Sequence, residues 1–283
     1  MHQVFDALAA QAKRQPDAIA FRDDYETLRW SDLAGRVYGL AMHLQSAPSV
    51  IGIDLPNGVD YVIADLAATL AARRVVPLPT FFGDQQCQHI LHDAGVGAVI
   101  GFAERRSGVL PLLSPHAGLG SPIDYAGGAD RVIYTSGSSG TPKGVIVGDR
   151  QLQASINGLM NAVQPSEADR HLSILPFAQL LEQVAGIFLP IMAGTETVIA
   201  PRTTATLFGG PASAIAEAFD AARPTTSLLV PQLLNAWVTD LKAKNSRAAK
   251  GLRFVAVGGA PTSPHLIDEA LALGIPVHEG YGL

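Results

Sequence analysis

Short apolar, β-branched runs alternate with alanine-rich stretches along most of this chain, and that rhythm restricts the fold more than any other feature. Residues 49–54, 75–78, 98–101, 131–134, 172–175, 197–200, 227–230 and 254–257 read as strands. Helical patterns separate them, among them one from the Pro56-Asn57-Gly58 break to Ala72 and one over 85–94. Strands that are apolar throughout need cover on both faces, which parallel sheets wrapped by helices provide. The expected class is α/β. One open sheet holding every strand would be unusually wide, so more than one sheet is expected.

The first forty-odd residues follow another pattern. Val4, Phe5, Leu8, Ala9 and Ala12 share one helical face, and 18–21 with 27–30 read as a hairpin around Asp23-Asp24. Ser31 is expected to cap a helix running to Leu44. The Gly-, Pro- and Ser-rich stretch 101–128 reads as a connection that adds no core.

Composition narrows the function classes. Net charge is −5 and the basic residues are scattered, which lacks the clustered basic face of a nucleic-acid binder. No apolar run is long enough for a transmembrane helix, and the N-terminus reaches Asp6 without a basic start, unlike a secretory signal. Cys87 is the only cysteine, so neither an intrachain disulfide nor a Cys-based metal cluster is available. A cytoplasmic location is the expectation.

The chemistry is concentrated in Tyr134-Thr-Ser-Gly-Ser-Ser-Gly-Thr-Pro-Lys-Gly-Val145. Gly137, Gly140 and Gly144 let backbone N–H groups approach an anion, Thr135, Ser136, Ser138, Ser139 and Thr141 add neutral donors, and Lys143 adds charge. That combination suits a polyphosphate. It is not a Walker A loop, because Lys143-Gly144 leads into a strand instead of a helix. It also lacks the Gly-x-Ser-x-Gly spacing of a nucleophile elbow. A flexible Gly/Ser linker is seldom flanked so closely by two β-branched strands.

The stretch Thr135–Gly144 resembles the phosphate loop of the acyl-adenylate-forming superfamily, which includes acyl-CoA synthetases, luciferases and the adenylation domains of peptide synthetases. The resemblance extends over essentially the whole chain. Leu28-Arg-Trp-Ser-Asp-Leu33, Leu55-Pro-Asn-Gly58, Val76-Pro-Leu-Pro79, Ile174-Leu-Pro-Phe-Ala-Gln179, Val257-Gly-Gly-Ala-Pro261 and Glu279-Gly-Tyr-Gly-Leu283 resemble family segments in the family's order. The fold implied is two doubly wound, mainly parallel sheet lobes. Residues 1–45 with 166–283 would form one and 46–165 the other.

By the same resemblance, Thr135, Ser136, Gly137, Ser138, Ser139, Gly140, Thr141 and Lys143 would bind ATP phosphates, with Thr135 and Lys143 catalytic. Gly258, Gly259, Ala260, Glu279, Gly280, Tyr281 and Gly282 would form the adenine pocket. Phe177 and Gln179 would line the acid pocket, Gln179 standing where the family usually has histidine. Glutamine cannot carry charge. The apolar surroundings suit a fatty or aromatic acid, and no acidic residue is evidently placed for an α-amine.

Leu283 is where the family continues with Ser/Thr-Glu, the glutamate usually binding Mg2+, followed by a small domain with the catalytic lysine. A truncated or cleaved product, or else a shortened natural protein, is therefore expected, inactive alone, with the missing C-terminal portion as partner and exposed apolar surface favouring self-association. The function implied for the parent is activation of an apolar carboxylic acid with ATP and Mg2+, then thioester formation with CoA. The alternatives are loading of a carrier protein and a non-catalytic nucleotide-binding or interaction module.

Overall fold

The structure, a computed structural model, describes residues 1–102, 111–135 and 141–280, the side chains of Leu112 and Ala205 excepted. Among these residues the chain forms two sheets. It opens with α1 (His2–Arg14), β1 (Ile19–Arg22), β2 (Thr27–Arg29) and α2 (Trp30–Leu44). Next come β3 (Val50–Asp54), α3 (Val59–Leu70), β4 (Arg74–Pro77), α4 (Asp84–Asp93), β5 (Ala98–Gly101), β6 (Leu112–Leu113), β7 (Asp130–Thr135) and β8 (Lys143–Gly148). After α5 (Asp149–Val163) and β9 (Arg170–Ser173), α6 (Leu180–Gln183) runs through a π-helical turn (Val184–Phe188) into α7 (Leu189–Ala193). The rest is β10 (Glu196–Ile199), α8 (Pro201–Thr204), a 3₁₀ turn (Ala205–Phe208), α9 (Ser213–Ala222), β11 (Thr226–Leu229), α10 (Pro231–Ala243), β12 (Phe254–Val257), α11 (Pro264–Ala272) and β13 (Val277–Glu279).

The first sheet has the order β13-β12-β11-β9-β10-β1-β2 and is parallel except for the β1–β2 pair. The second has the order β6-β5-β3-β4-β7-β8 and is parallel except for β7–β8. The class is α/β, with two parallel-dominated sheets clothed by helices. Central strands β3, β5 and β11 are buried nearly end to end, as continuous apolar runs require.

Two local expectations are corrected. Ser31 caps nothing: the N-cap of α2 lies two residues earlier, at Arg29, and the Ser31 hydroxyl donates to the Pro16 carbonyl at 3.0 Å. The stretch after Gly101 is not a bare connection, since it supplies β6 and buries Tyr125 in the core. In α1 the buried stripe is Val4, Phe5, Leu8 and Gln11, whereas Ala9 faces outward.

The sheets are joined by a buried polar network. Arg131 of β7 reaches Asp65 of α3 at 3.1 Å, Gln183 of α6 at 2.5 Å and the Thr69 hydroxyl at 3.3 Å, with its guanidinium 4.9 Å from the Phe188 ring centroid. Tyr61 and Gln183 both donate to the Phe177 carbonyl, at 3.0 and 2.7 Å. Burial pushes the Asp65 carboxyl up and Arg131 pulls it back.

Candidate active site

In parallel sheets the loops after the strands' carboxyl ends gather ligands, and here those edges of the two sheets meet. Asn57, after β3, donates from Nδ2 to the Leu175 carbonyl at 2.6 Å and accepts from the Phe177 N–H at 2.9 Å, so it clamps the segment after β9. Phe81, after β4, stacks on Phe208, beyond β10, with centroids 5.3 Å apart. Asn57→Ala leaves two backbone groups without their partner and is expected to cost about 1–3 kcal/mol. Chemical denaturation checks this; an unchanged midpoint would mean that the clamp is dispensable.

The glycine-rich segment closes the β7–β8 hairpin. Thr135 pairs with Lys143 on its last rung, and both are exposed. Tyr134 donates to Asp93 at 2.6 Å and a His89 ring nitrogen lies 3.1 Å from the Pro142 carbonyl, which ties both legs to α4. Gly144 permits the close crossing of the legs, because a Cβ there would fall 2.8 Å from the Tyr134 ring. Thr141 is exposed at the base, while Ser136, Gly137, Ser138, Ser139 and Gly140 lie outside the described residues.

The segments expected to form the adenine pocket sit at the carboxyl ends of β12 and β13. The Gly258 N–H donates to the Leu229 carbonyl at 3.1 Å, and the Gly280 N–H to the Val257 carbonyl at 2.8 Å. Gly259 holds φ +84°, a conformation that favours glycine. Ala260 is exposed, and Glu279 accepts from the Thr262 N–H at 3.1 Å. Tyr281 and Gly282 fall outside the described residues. Among the described residues no group of three or more His, Cys, Asp or Glu could hold a metal ion.

An apolar cavity of about 350 Å³ lies against the first sheet and reaches this edge at Glu279 and Gly280. Its roof is Leu181, Ala185, Leu189 and Pro190, its side Leu159, Ala162 and Val163 of α5, and its floor includes His171, Thr226, Leu228, Phe254, Ala256 and His278. The π-turn shapes that roof, and the Gly186 carbonyl in it accepts from Thr197 at 3.3 Å. Phe177, expected in the acid pocket, does not line it: its ring is fully buried, stacked on Tyr61 at 5.2 Å, and works as a core anchor. Gln179 is exposed at the start of α6.

Sequence reasoning missed Asn57 as a positioning residue, and also His171, Ser173 and Glu182. Glu182 is fully buried beside the Ser173 hydroxyl, to which it is hydrogen-bonded, and its Oε2 has no partner among the described residues. Burial pushes its pKa up to about 8. A carboxyl whose folded pKa lies above its ordinary value of 4.5 loses stability as pH rises from 4.5 toward 8. Unfolding free energy is expected to fall by about 3–5 kcal/mol across that window through this group, and Glu182→Gln should flatten the curve. Identical pH profiles for the two proteins would contradict this.

A family profile described as AMP-binding enzyme matches residues 8–120 and 131–283. The chain belongs to the AMP-binding enzyme family. The curated relatives are longer proteins, of which it spans a part. Long-chain-fatty-acid–AMP ligase FadD28 of Mycobacterium tuberculosis is 29% identical over 233 residues, covering 68% of this chain and 40% of that protein. A linear gramicidin synthase of Brevibacillus parabrevis is 28% identical over 302 residues, covering 99% of this chain and 4% of that protein. Among solved structures, O-succinylbenzoate coenzyme A synthetase (MenE) of Bacillus subtilis in complex with AMP matches with TM-score 0.80 at 21% identity, covering 98% of this chain and 73% of that one. The NpsA N-terminal subdomain of Klebsiella oxytoca matches with TM-score 0.81 at 22% identity, covering 99% and 74%. These structural likenesses concern the fold alone. No helix among its described residues is long and apolar enough to cross a membrane.

Proposed function

We propose that this chain forms the nucleotide- and acid-binding part of a ligase that joins a carboxylic acid to AMP. A carboxylate oxygen attacks the α-phosphorus of ATP, giving acyl-AMP and releasing pyrophosphate. A thiol then attacks the acyl carbon and AMP departs. Donors of the β7–β8 hairpin and Lys143 stabilise the charge that develops on the pyrophosphate, and the segments at Gly258–Ala260 and Glu279–Gly280 border the adenylate. The observation that carries this reading is the apolar cavity reaching the sheet edge that bears those two segments. An acid seated with its body in the cavity presents its carboxylate at that edge.

The apolar lining favours an apolar acid, with CoA as the thiol. A second reading, transfer to a carrier protein's phosphopantetheine, draws support from the gramicidin synthase, whose similarity covers 99% of this chain. Offering the complete gene product equal concentrations of CoA and of phosphopantetheinylated carrier after adenylate formation separates the two. Acyl-CoA as the dominant product supports the first reading, and acyl-carrier with no acyl-CoA overturns it.

A further inference from the structure

The cavity floor is a set of rungs across neighbouring strands. Thr226 stands opposite His171 on one side and Phe254 on the other, while Leu228 stands opposite Ala256 and Ala256 opposite His278. Alternate residues share a face, so Gly258 follows Phe254 and Ala256 along the same line toward the carboxyl edge. From the Phe254 row to Gly258 is four residues, about 13 Å of strand. His171 therefore sits at the far end of the cavity from the site of adenylation proposed above.

His171 is only 5% exposed, yet it lines the cavity. Its Nδ1 lies 3.1 Å from the Thr226 hydroxyl oxygen, and its Nε2 has no hydrogen-bond partner among the described residues. A buried nitrogen left in that condition is costly, which is unusual unless something else meets it. Burial holds the ring's pKa down to about 4, so the imidazole is neutral near pH 7. When Nδ1 donates to Thr226, Nε2 accepts; when the Thr226 hydroxyl donates to Nδ1, Nε2 donates. Either way it suits a neutral partner.

We propose that His171 is a specificity-determining residue whose Nε2 reads a neutral hydrogen-bonding group, a hydroxyl or carbonyl, at the far end of an otherwise apolar carboxylic acid. Allowing for the reach of the imidazole, that group lies about 10 Å from the carboxylate. The inference rests on the reading of this cavity as the acid site and adds what the acid carries at its tail.

The test compares matched acids by calorimetry on the complete gene product with a non-hydrolysable ATP analogue present. The probes are octanoate against 8-hydroxyoctanoate, and 3-phenylpropanoate against 3-(4-hydroxyphenyl)propanoate. In at least one pair the hydroxylated acid is expected to bind about tenfold more tightly, the worth of one buried hydrogen bond. His171→Phe should erase that preference, so that the two acids of the pair bind alike. Equal affinities within both pairs would overturn the role of His171 and leave the acid site standing. No binding by any of the four acids would overturn both. If His171→Phe does not fold, the wild-type His171 Nε2 ¹⁵N resonance decides: a shift with the preferred hydroxylated acid but not with its partner supports the proposal, and no differential shift overturns it.

Discussion

Arg131→Met is expected to destabilise the folded protein by about 3–5 kcal/mol, the usual cost of removing one partner from a buried ion pair. The side chain is 2% exposed and its guanidinium serves Asp65, Thr69 and Gln183 at once. Methionine fills much of the volume and satisfies none of the three. Asp65, fully buried, then has to take up a proton or draw water inward. The double variant Arg131→Met with Asp65→Leu removes both charges and should regain more than half of the loss, because apolar replacements of a buried pair are often neutral. Denaturant midpoints of the three proteins measure this. An Arg131→Met protein as stable as the parent would show that the two sheets are held by apolar packing alone. The consequence reaches function, since β7 carries the glycine-rich hairpin at its end and the network sets where that strand sits.

Lys143→Ala should have the larger effect on activity and little on folding. Lys143 is exposed, on the last rung of an edge hairpin, so removing its amine disturbs no core. Its proposed task is to meet charge that appears on the departing pyrophosphate, and removal of one such preorganised group typically costs about 10²–10³ in rate. The expected result is that loss in acid-dependent pyrophosphate exchange, with an unchanged unfolding midpoint. Full exchange activity in Lys143→Ala would remove the lysine from the chemistry. A matching drop in stability would reassign it to structure.

The parts of this molecule that are legible in its sequence are those whose chemistry is local. Strands such as β3 and β5 announce themselves because burial on both faces leaves an unbroken apolar run. Strands β7 and β8 are legible because β-branched runs lie on either side of the stretch rich in glycine and serine. What could not be read depends on partners distant in the chain. Leu112–Leu113 becomes a strand only by pairing beside β5. Asn57 is an ordinary turn residue until Leu175 and Phe177 come beside it. Phe177 looks like a pocket residue by its segment, and only the stacking of Tyr61 shows that it points into the core. His171 stands next to an apolar strand in sequence, and its importance arises from Thr226 across the sheet and from the cavity above it. Glu182 needed complete burial in the folded chain to have its carboxyl pKa raised, an effect that outweighs the lowering by the Ser173 hydroxyl bonded to it.

The proposed formation of an acyl adenylate is tested most directly by acid-dependent exchange of labelled pyrophosphate into ATP by the complete gene product. Exchange is expected to require an added apolar carboxylic acid, to rise with its concentration and to fall by about 10²–10³ in Lys143→Ala. ATP binding without exchange, across aliphatic, aromatic and amino acids alike, would contradict it.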